Sequence, residues 1–169
     1  MRVRLFALTV LCVFSVTVSA SEYQWNDVPR VVAIGDVHGA YAELVSILQA
    51  AQVIDAQSRW IGGTTHLVSL GDLLDRGPQS LKAMDLLMRL QEEARSSGGY
   101  VHVLLGNHEV MNLTGDLRDV SDGEYEALNR IGGHTRAFSL DGPYGSWLAS
   151  LPFDNRNNDS ILAHGAFSS

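Results

Sequence analysis

Three short polar motifs, each directly after an apolar run and almost evenly spaced, constrain this chain more than any other feature. They are Gly35-Asp36-Val37-His38-Gly39, Gly71-Asp72-Leu73-Leu74-Asp75-Arg76-Gly77 and Gly106-Asn107-His108-Glu109. Asp72 follows Asp36 by 36 residues, and Asn107 follows Asp72 by 35. One strand-helix-strand unit takes roughly 30 residues or a little more. The spacing therefore puts the polar groups at the carboxyl ends of neighbouring parallel strands, where open α/β sheets bind their ligands. Three Asp, two His, an Asn and an Arg converging there suggest a metal-assisted phosphate site.

The segments between the motifs carry matching periodicities. Val31 to Ile34, His66 to Leu70 and Tyr100 to Leu105 read as buried strands. Tyr41, Leu44, Val45, Leu48 and Ala51 recur at helical spacing, which predicts a helix over roughly residues 39 to 52. Pro78 suits the first turn of a second helix. Leu81, Met84, Leu87, Met88 and Gln91 carry that helix on to Gly98-Gly99, which ends it. Residues 110 to 159 are rich in Gly, Asp and Asn, with helices expected near Glu124 to Arg130 and Ser146 to Leu151. The acid-rich stretch Asp116 to Glu126 reads as a solvated loop. Ile161-Leu162-Ala163 predicts a short strand leading into His164-Gly165. The fold class is α/β.

The first twenty residues stand apart from this pattern. Arg2 and Arg4 precede an uncharged run from Leu5 to Val18, and Val18-Ser19-Ala20 supplies small residues for cleavage after Ala20. This is the pattern of a secretory signal peptide. The run is shorter than the ~18 residues a membrane span needs. The expectation is an exported protein, periplasmic or secreted, with no stable membrane anchor after cleavage. Residues 21 to 169 would then carry ten basic against nineteen acidic residues, a formal charge of −9. So acidic a chain argues against nucleic acid as a partner. It also requires local positive charge, from metals or Arg, wherever an anionic substrate binds. Cys12, the one cysteine, lies in the leader, which leaves neither a disulfide nor a thiolate nucleophile.

Hydrolysis of a phosphate ester needs a nucleophile at neutral pH, neutralisation of the phosphoryl oxygens and a proton for the leaving oxygen. Two metal ions a few Å apart supply the first two. A mixed carboxylate, imidazole and amide donor set suits borderline or hard ions such as Mn, Fe or Zn. Asp36 and His38 sit one residue apart across a turn and can face one ion. Asp72 can bridge two ions, and Asn107 can offer a neutral oxygen to the second. His108 could give the leaving-group proton, with Asp75 holding its imidazole in the right tautomer. Arg76 offers a bidentate guanidinium to phosphate oxygens.

Asp36-Val37-His38, Asp72-Leu73-Leu74-Asp75-Arg76-Gly77 and Gly106-Asn107-His108-Glu109 resemble the calcineurin-like metallophosphoesterases. The intact Asp75-Arg76-Gly77 resembles the phosphoprotein phosphatase branch. Asn107-His108-Glu109-Val110-Met111-Asn112 with Gly115-Asp116 is similar to the Shewanella-like protein phosphatases. The resemblance covers about residues 30 to 169 and implies a β-sandwich flanked by helices. It implies one ion on Asp36, His38 and Asp72, and a second on Asp72, Asn107 and His164. It also implies catalytic roles for His108, Asp75 and Arg76. The implied activity is hydrolysis of a phosphomonoester, phosphoprotein included, by attack of a metal-bridging hydroxide. A dinucleoside polyphosphate or other small phosphoester is the alternative substrate. The family pattern has a further metal-binding His, a second phosphate-binding Arg and closing strands beyond the point where this chain stops. The expectation is therefore the amino-terminal part of such a domain. An inactive, truncated phosphate-binding remnant is the alternative that is not an enzyme.

Other residues call for simpler readings. His134, in Gly132-Gly133-His134-Thr135, resembles a metal-site turn but comes before His164, and reads as a loop or structural residue. His66 and His102 lie within strands and read as structural or solvent-facing. Glu109 reads as either a support for the site or a structural residue. Asn112 and Asn158 begin glycosylation sequons by pattern, which the bacterial-type export signal leaves unused.

Overall fold

The computed structural model describes residues 23–165, so the expected signal peptide lies outside the described residues. The described residues form two three-stranded sheets and six helices. In chain order they begin with β1 (Gln24–Trp25), β2 (Val31–Ile34), α1 (Tyr41–Ala50), β3 (His66–Ser69), α2 (Ser80–Arg95) and β4 (Tyr100–Val103). Then come α3 (Asn107–Thr114), α4 (Asp122–Asn129), α5 (His134–Phe138), α6 (Gly145–Leu148), β5 (Asp154–Asn157) and β6 (Ser160–Ala163). Among the described residues no helix is long and apolar enough to cross a membrane.

The first sheet has the order β2-β3-β4 and is fully parallel. Val31 pairs with His66, and His66 with Tyr100, so the three strands start level and end level. Their carboxyl ends release the three motifs side by side, as the spacing predicts. Side chains alternate across a strand. One face carries Leu67, Val101 and Val103 into the core with Leu44 and Leu48 of α1 and Ala83, Met84, Leu87 and Leu90 of α2. The helical residues recur at intervals of three and four, which lines one face of each helix.

The opposite face carries His66, Tyr100 and His102 toward the second sheet, whose order is β1-β5-β6. The Trp25 ring stands 5.9 Å from His66 and 4.2 Å from His102. His66 Nδ1 lies 2.7 Å from Asn157 Oδ1 and 3.1 Å from His102 Nε2. Both histidines are buried, which settles the choice between a structural and a solvent-facing role in favour of the first. The helix–sheet–sheet layering is the β-sandwich flanked by helices that the resemblance implies.

Several elements differ from expectation. Helix α2 starts at Ser80, not at Pro78, because the turn before it is clamped from outside. Arg76 N–H donates to Asp119 O at 2.9 Å, Ser121 Oγ donates to Gly77 O at 3.0 Å, and Gly123 packs on Pro78. The stretch 116–126 is therefore not simply a solvated loop. Its Asp116–Arg118 pair is exposed, but Glu124 is wholly buried in α4 with Oε2 accepting from Ser80 Oγ at 2.7 Å. Helix α3 is absent from the periodicity reading because its first turn is the third motif itself. Gly106 caps its start, and Gly115, at φ 82°, ends it. Strands β1 and β5 carry no apolar pattern: Asp154-Asn155-Arg156-Asn157 is poor in strand formers. The antiparallel ladder to β6 and the parallel pairing with β1 override that composition. Neither sequon asparagine is free: Asn112 is buried, and Asn158 exchanges hydrogen bonds with the Val28 backbone.

Candidate metal centre

The three motif loops meet main chain to main chain, and this is where glycine is needed. A Cβ on Gly77 would lie 2.3 Å from His38 O, and one on Gly106 would lie 2.2 Å from Asp72 Oδ1. Only a residue without a side chain fits at either place. The first loop is tied to the second by Val37 N–H and His38 N–H, both donating to Asp72 O at 2.9 Å, and by Gly39 N–H donating to Leu73 O at 2.9 Å.

The third loop ties down the second through one side chain. The buried Glu109 carboxylate accepts from Asp72 N–H, Leu73 N–H and Gly106 N–H, each at 2.8 Å, and from Leu74 N–H at 3.3 Å. Consecutive amides turned onto one anion form a nest. Burial raises the Glu109 pKa, while the bonds from Asp72 and Gly106 work against that rise. The reading of Glu109 as a support is the one the contacts favour. The tied turn holds four non-glycine residues at positive φ: His38 at 46°, Asp72 at 52°, Asp75 at 68° and Arg76 at 63°. Left-handed backbone in non-glycine residues costs of order 1–3 kcal/mol each and persists where the surroundings over-determine it. All four are residues singled out from the sequence.

Asp72 is buried, with its two oxygens in different surroundings. Oδ1 accepts from His108 N–H at 3.1 Å, an amide in the first turn of α3 with no partner inside the helix. Oδ2 lies 3.8 Å from His38 Nε2 and 3.3 Å from His164 Nε2. His38 Nδ1 faces Leu74 O at 2.8 Å, and His164 Nδ1 faces Leu70 O at 3.0 Å. A ring nitrogen facing a carbonyl is the N–H one, so each ring turns its Nε2 lone pair inward. His38 Nε2 is 3.8 Å from Asp36 Oδ2, and His164 Nε2 is 3.1 Å from Asn107 Oδ1.

These residues fit divalent ions. Ligands bound at about 2.0–2.2 Å to one ion stand roughly 3.0–3.5 Å from each other, near the separations found here. Asp36, Asp72 and His164 form one donor cluster, and His38, Asp72 and His108 another, with Asp72 common to both. Asn107 adds its amide oxygen to the His164 side. All five residues expected as ligands, Asp36, His38, Asp72, Asn107 and His164, are therefore brought together.

The three residues expected in catalysis lie beside them. His108 Nδ1 is 2.7 Å from Asp75 Oδ2, with both side chains buried. That bond occupies Nδ1 and leaves Nε2 facing Arg76, whose Nη2 donates to it at 3.2 Å. Arg76 Nη1 donates to His38 Nε2 at 2.8 Å, so the guanidinium spans both imidazoles at the mouth of the site.

A calcineurin-like phosphoesterase model matches residues 29–168. The chain belongs to the calcineurin-like phosphoesterases. Over 145 residues it is 34% identical to Shewanella-like protein phosphatase 1 of Plasmodium berghei, covering 84% of this chain and 40% of that protein. Over 92 residues it is 45% identical to Shewanella-like protein phosphatase 2 of Arabidopsis thaliana, covering 54% of this chain and 24% of the relative. Among solved structures it superposes on the cold-active protein-tyrosine phosphatase of a psychrophilic Shewanella species. There the TM-score is 0.82 at 36% identity, over 87% of this chain and 45% of that one. This calcineurin-like phosphoesterase thus spans less than half the length of the relatives it matches.

Sequence reasoning gave no role at this site to Asn112. Asn112 Nδ2 donates to Asp75 Oδ1 at 2.9 Å and to His108 O at 3.0 Å, and its Oδ1 lies 2.9 Å from His134 Nε2. The available signal was spacing: Asn112 follows His108 by four and so shares its helix face. Among the described residues His134 is not part of a metal-donor group.

Proposed function

We propose that this chain is a metal-dependent phosphatase acting on phosphomonoesters, a phosphoprotein side chain among them. The observation that carries the reading is Asp72 Oδ2, which lies between His38 Nε2 and His164 Nε2 while the His108–Asp75 pair stands beside it. Mn, Fe and Zn match the mixed oxygen and nitrogen donors. Held there, two divalent ions would generate a nucleophile from water at neutral pH and neutralise charge on the phosphoryl oxygens.

The chain's own residues supply the rest. Arg76 swings from the two imidazoles onto the phosphoryl oxygens as a bidentate donor. With Arg76 moved away, His108 Nε2, bare in the resting arrangement, takes a proton from solvent and gives it to the leaving oxygen. Asp75 holds Nδ1–H and stabilises the charged ring before that transfer. The protein-substrate reading draws on relatives named as protein phosphatases and on a neighbour named as a protein-tyrosine phosphatase. Export through the amino-terminal leader belongs to the same proposal, and amino-terminal sequencing of exported protein, expected to begin at Ser21, tests it.

Asp72→Asn tests the enzyme reading. Metal content by elemental analysis and turnover of an aryl phosphate should fall together. The rate should drop by 10³ or more, which is about 4 kcal/mol in the barrier. Near-normal metal content with near-normal turnover in Asp72→Asn overturns it.

A further inference from the structure

His134 stands outside the ligand set and the catalytic trio, yet its ring is held on both sides. Phe138, buried one turn further along α5, stacks on it with centroids 4.6 Å apart and planes 27° apart. Its Nε2 points at Asn112 Oδ1. The direction of every bond in this chain of contacts can be assigned. Asp75 Oδ1 and His108 O can only accept, so the Asn112 atom facing both is the amide nitrogen. The oxygen then faces His134, whose Nε2 must carry a proton. Burial lowers the His134 pKa, against the opposing pull of the Asp75 charge, which favours the neutral ring with that single N–H.

We infer that His134 is a positioning residue for proton donation: through Asn112 it holds the Asp75 carboxylate so that Oδ2 meets His108 Nδ1. The inference rests on the phosphatase reading above. Its logic is one of satisfied groups. Asp75 is fully buried, and each of its oxygens has a donor: Asn112 on Oδ1, His108 on Oδ2. Asn112 is buried too, and its oxygen has His134. Without His134 that oxygen must take up water or turn toward another donor, and a turned amide withdraws its N–H from Asp75. Asp75 then rotates or competes for a proton, and His108 loses the fixed partner that sets its tautomer.

A purely structural role would slow all substrates alike. A positioning role slows most those whose leaving oxygen needs a proton. His134→Leu roughly keeps the volume and an apolar contact with Phe138 but removes the donor. His134→Gln keeps an N–H near the position of Nε2. The variants are compared on phenyl phosphate, a poor leaving group, and on nitrophenyl phosphate, a good one. His134→Leu should lower kcat on phenyl phosphate roughly tenfold more than on nitrophenyl phosphate, and His134→Gln should recover most of that ratio.

A second reading needs no turnover. In ¹⁵N spectra of the full chain, the His108 Nδ1–H proton should lie far downfield in the wild type. It should shift or broaden in His134→Leu and return in His134→Gln. An unchanged His108 signal together with an unchanged substrate ratio overturns the inference. A wild type that hydrolyses neither ester refutes the phosphatase reading, and the spectra still decide the role of His134. If His134→Leu does not fold, Asn112→Ala read in the same two ways carries the test, with the same expected and overturning results.

Discussion

His108 Nδ1 and Asp75 Oδ2 stand 2.7 Å apart with neither side chain open to solvent. The bond joins the first turn of α3 to the loop after β3 and leaves Nε2, which faces Arg76, as the one imidazole nitrogen not held by Asp75. In the proposed reaction that nitrogen serves the leaving group. His108→Asn should keep the metal content of the wild type but slow hydrolysis on the order of 10²–10⁴-fold with a poor leaving group. The loss should be smaller with nitrophenyl phosphate. Equal losses on both esters would remove His108 from the proton-donor role.

Glu109 is a second buried carboxylate with a different task. Four backbone amides converge on it, three of them at 2.8 Å. Hydrogen bonds to charged groups contribute about 1.5–3 kcal/mol each, and buried donors left unpaired cost a similar amount. Glu109→Ala should therefore destabilise the fold by several kcal/mol, of order 3 or more. Urea denaturation reads this directly. A midpoint within experimental scatter of the wild type would show that the nest does not hold the Asp72 turn.

Metal binding should appear as stability. A ligand that binds only the folded state stabilises it by about 2.7 kcal/mol at a hundred times its Kd. Adding Mn or Zn should raise the unfolding temperature of the wild type, chelation should reverse the rise, and Asp72→Asn should show little of it. An equal rise in Asp72→Asn would point to sites elsewhere on this acidic chain.

Two buried groups should shape the pH dependence of stability in opposite senses. Burial, with the nearby His66 ring adding to it, pushes the His102 pKa down from 6.5 to about 3. The folded state therefore favours neutral His102. Its contribution is full above pH 6.5 and is lost as pH falls toward about 3, at roughly 1.4 kcal/mol per pH unit. Burial pushes Glu124 up from 4.5 to about 7, opposed by the Ser80 bond and helped by the Asp75 charge. The folded state favours its neutral form. That contribution is full below pH 4.5 and is lost as pH rises through 7. Between pH 4.5 and 6.5 the two slopes oppose each other. His102→Gln should flatten the acid-side loss in denaturation midpoints measured from pH 7 to pH 4. Glu124→Gln should gain on the order of 1–3 kcal/mol at pH 8 relative to its change at pH 5. Parallel curves for wild type and both variants would contradict both assignments.

The sequence by itself determined the parallel sheet and the residues gathered at its carboxyl end. Those conclusions rest on local regularities. A buried parallel strand is an apolar run, the crossover has a narrow range of lengths, and a polar residue just past the strand end must lie at the sheet's carboxyl edge. Asp36, His38, Asp72 and Asn107 were legible for that reason, as were His108, Asp75 and Arg76; His164 was legible only through the family resemblance.

The tertiary structure decided what each of those atoms faces. That Asp72 gives Oδ1 to an amide of α3 and Oδ2 to two imidazoles depends on backbone conformation held from three loops at once. That Asn112 and His134 extend the Asp75–His108 pair, and that Glu124 sits buried under the same loop, depends on contacts made across the chain. Strands β1 and β5 arise from pairing partners more than a hundred residues apart. Composition and periodicity report a residue's near neighbours along the chain. Hydrogen-bond satisfaction in a buried site is a property of the distant groups that packing brings together.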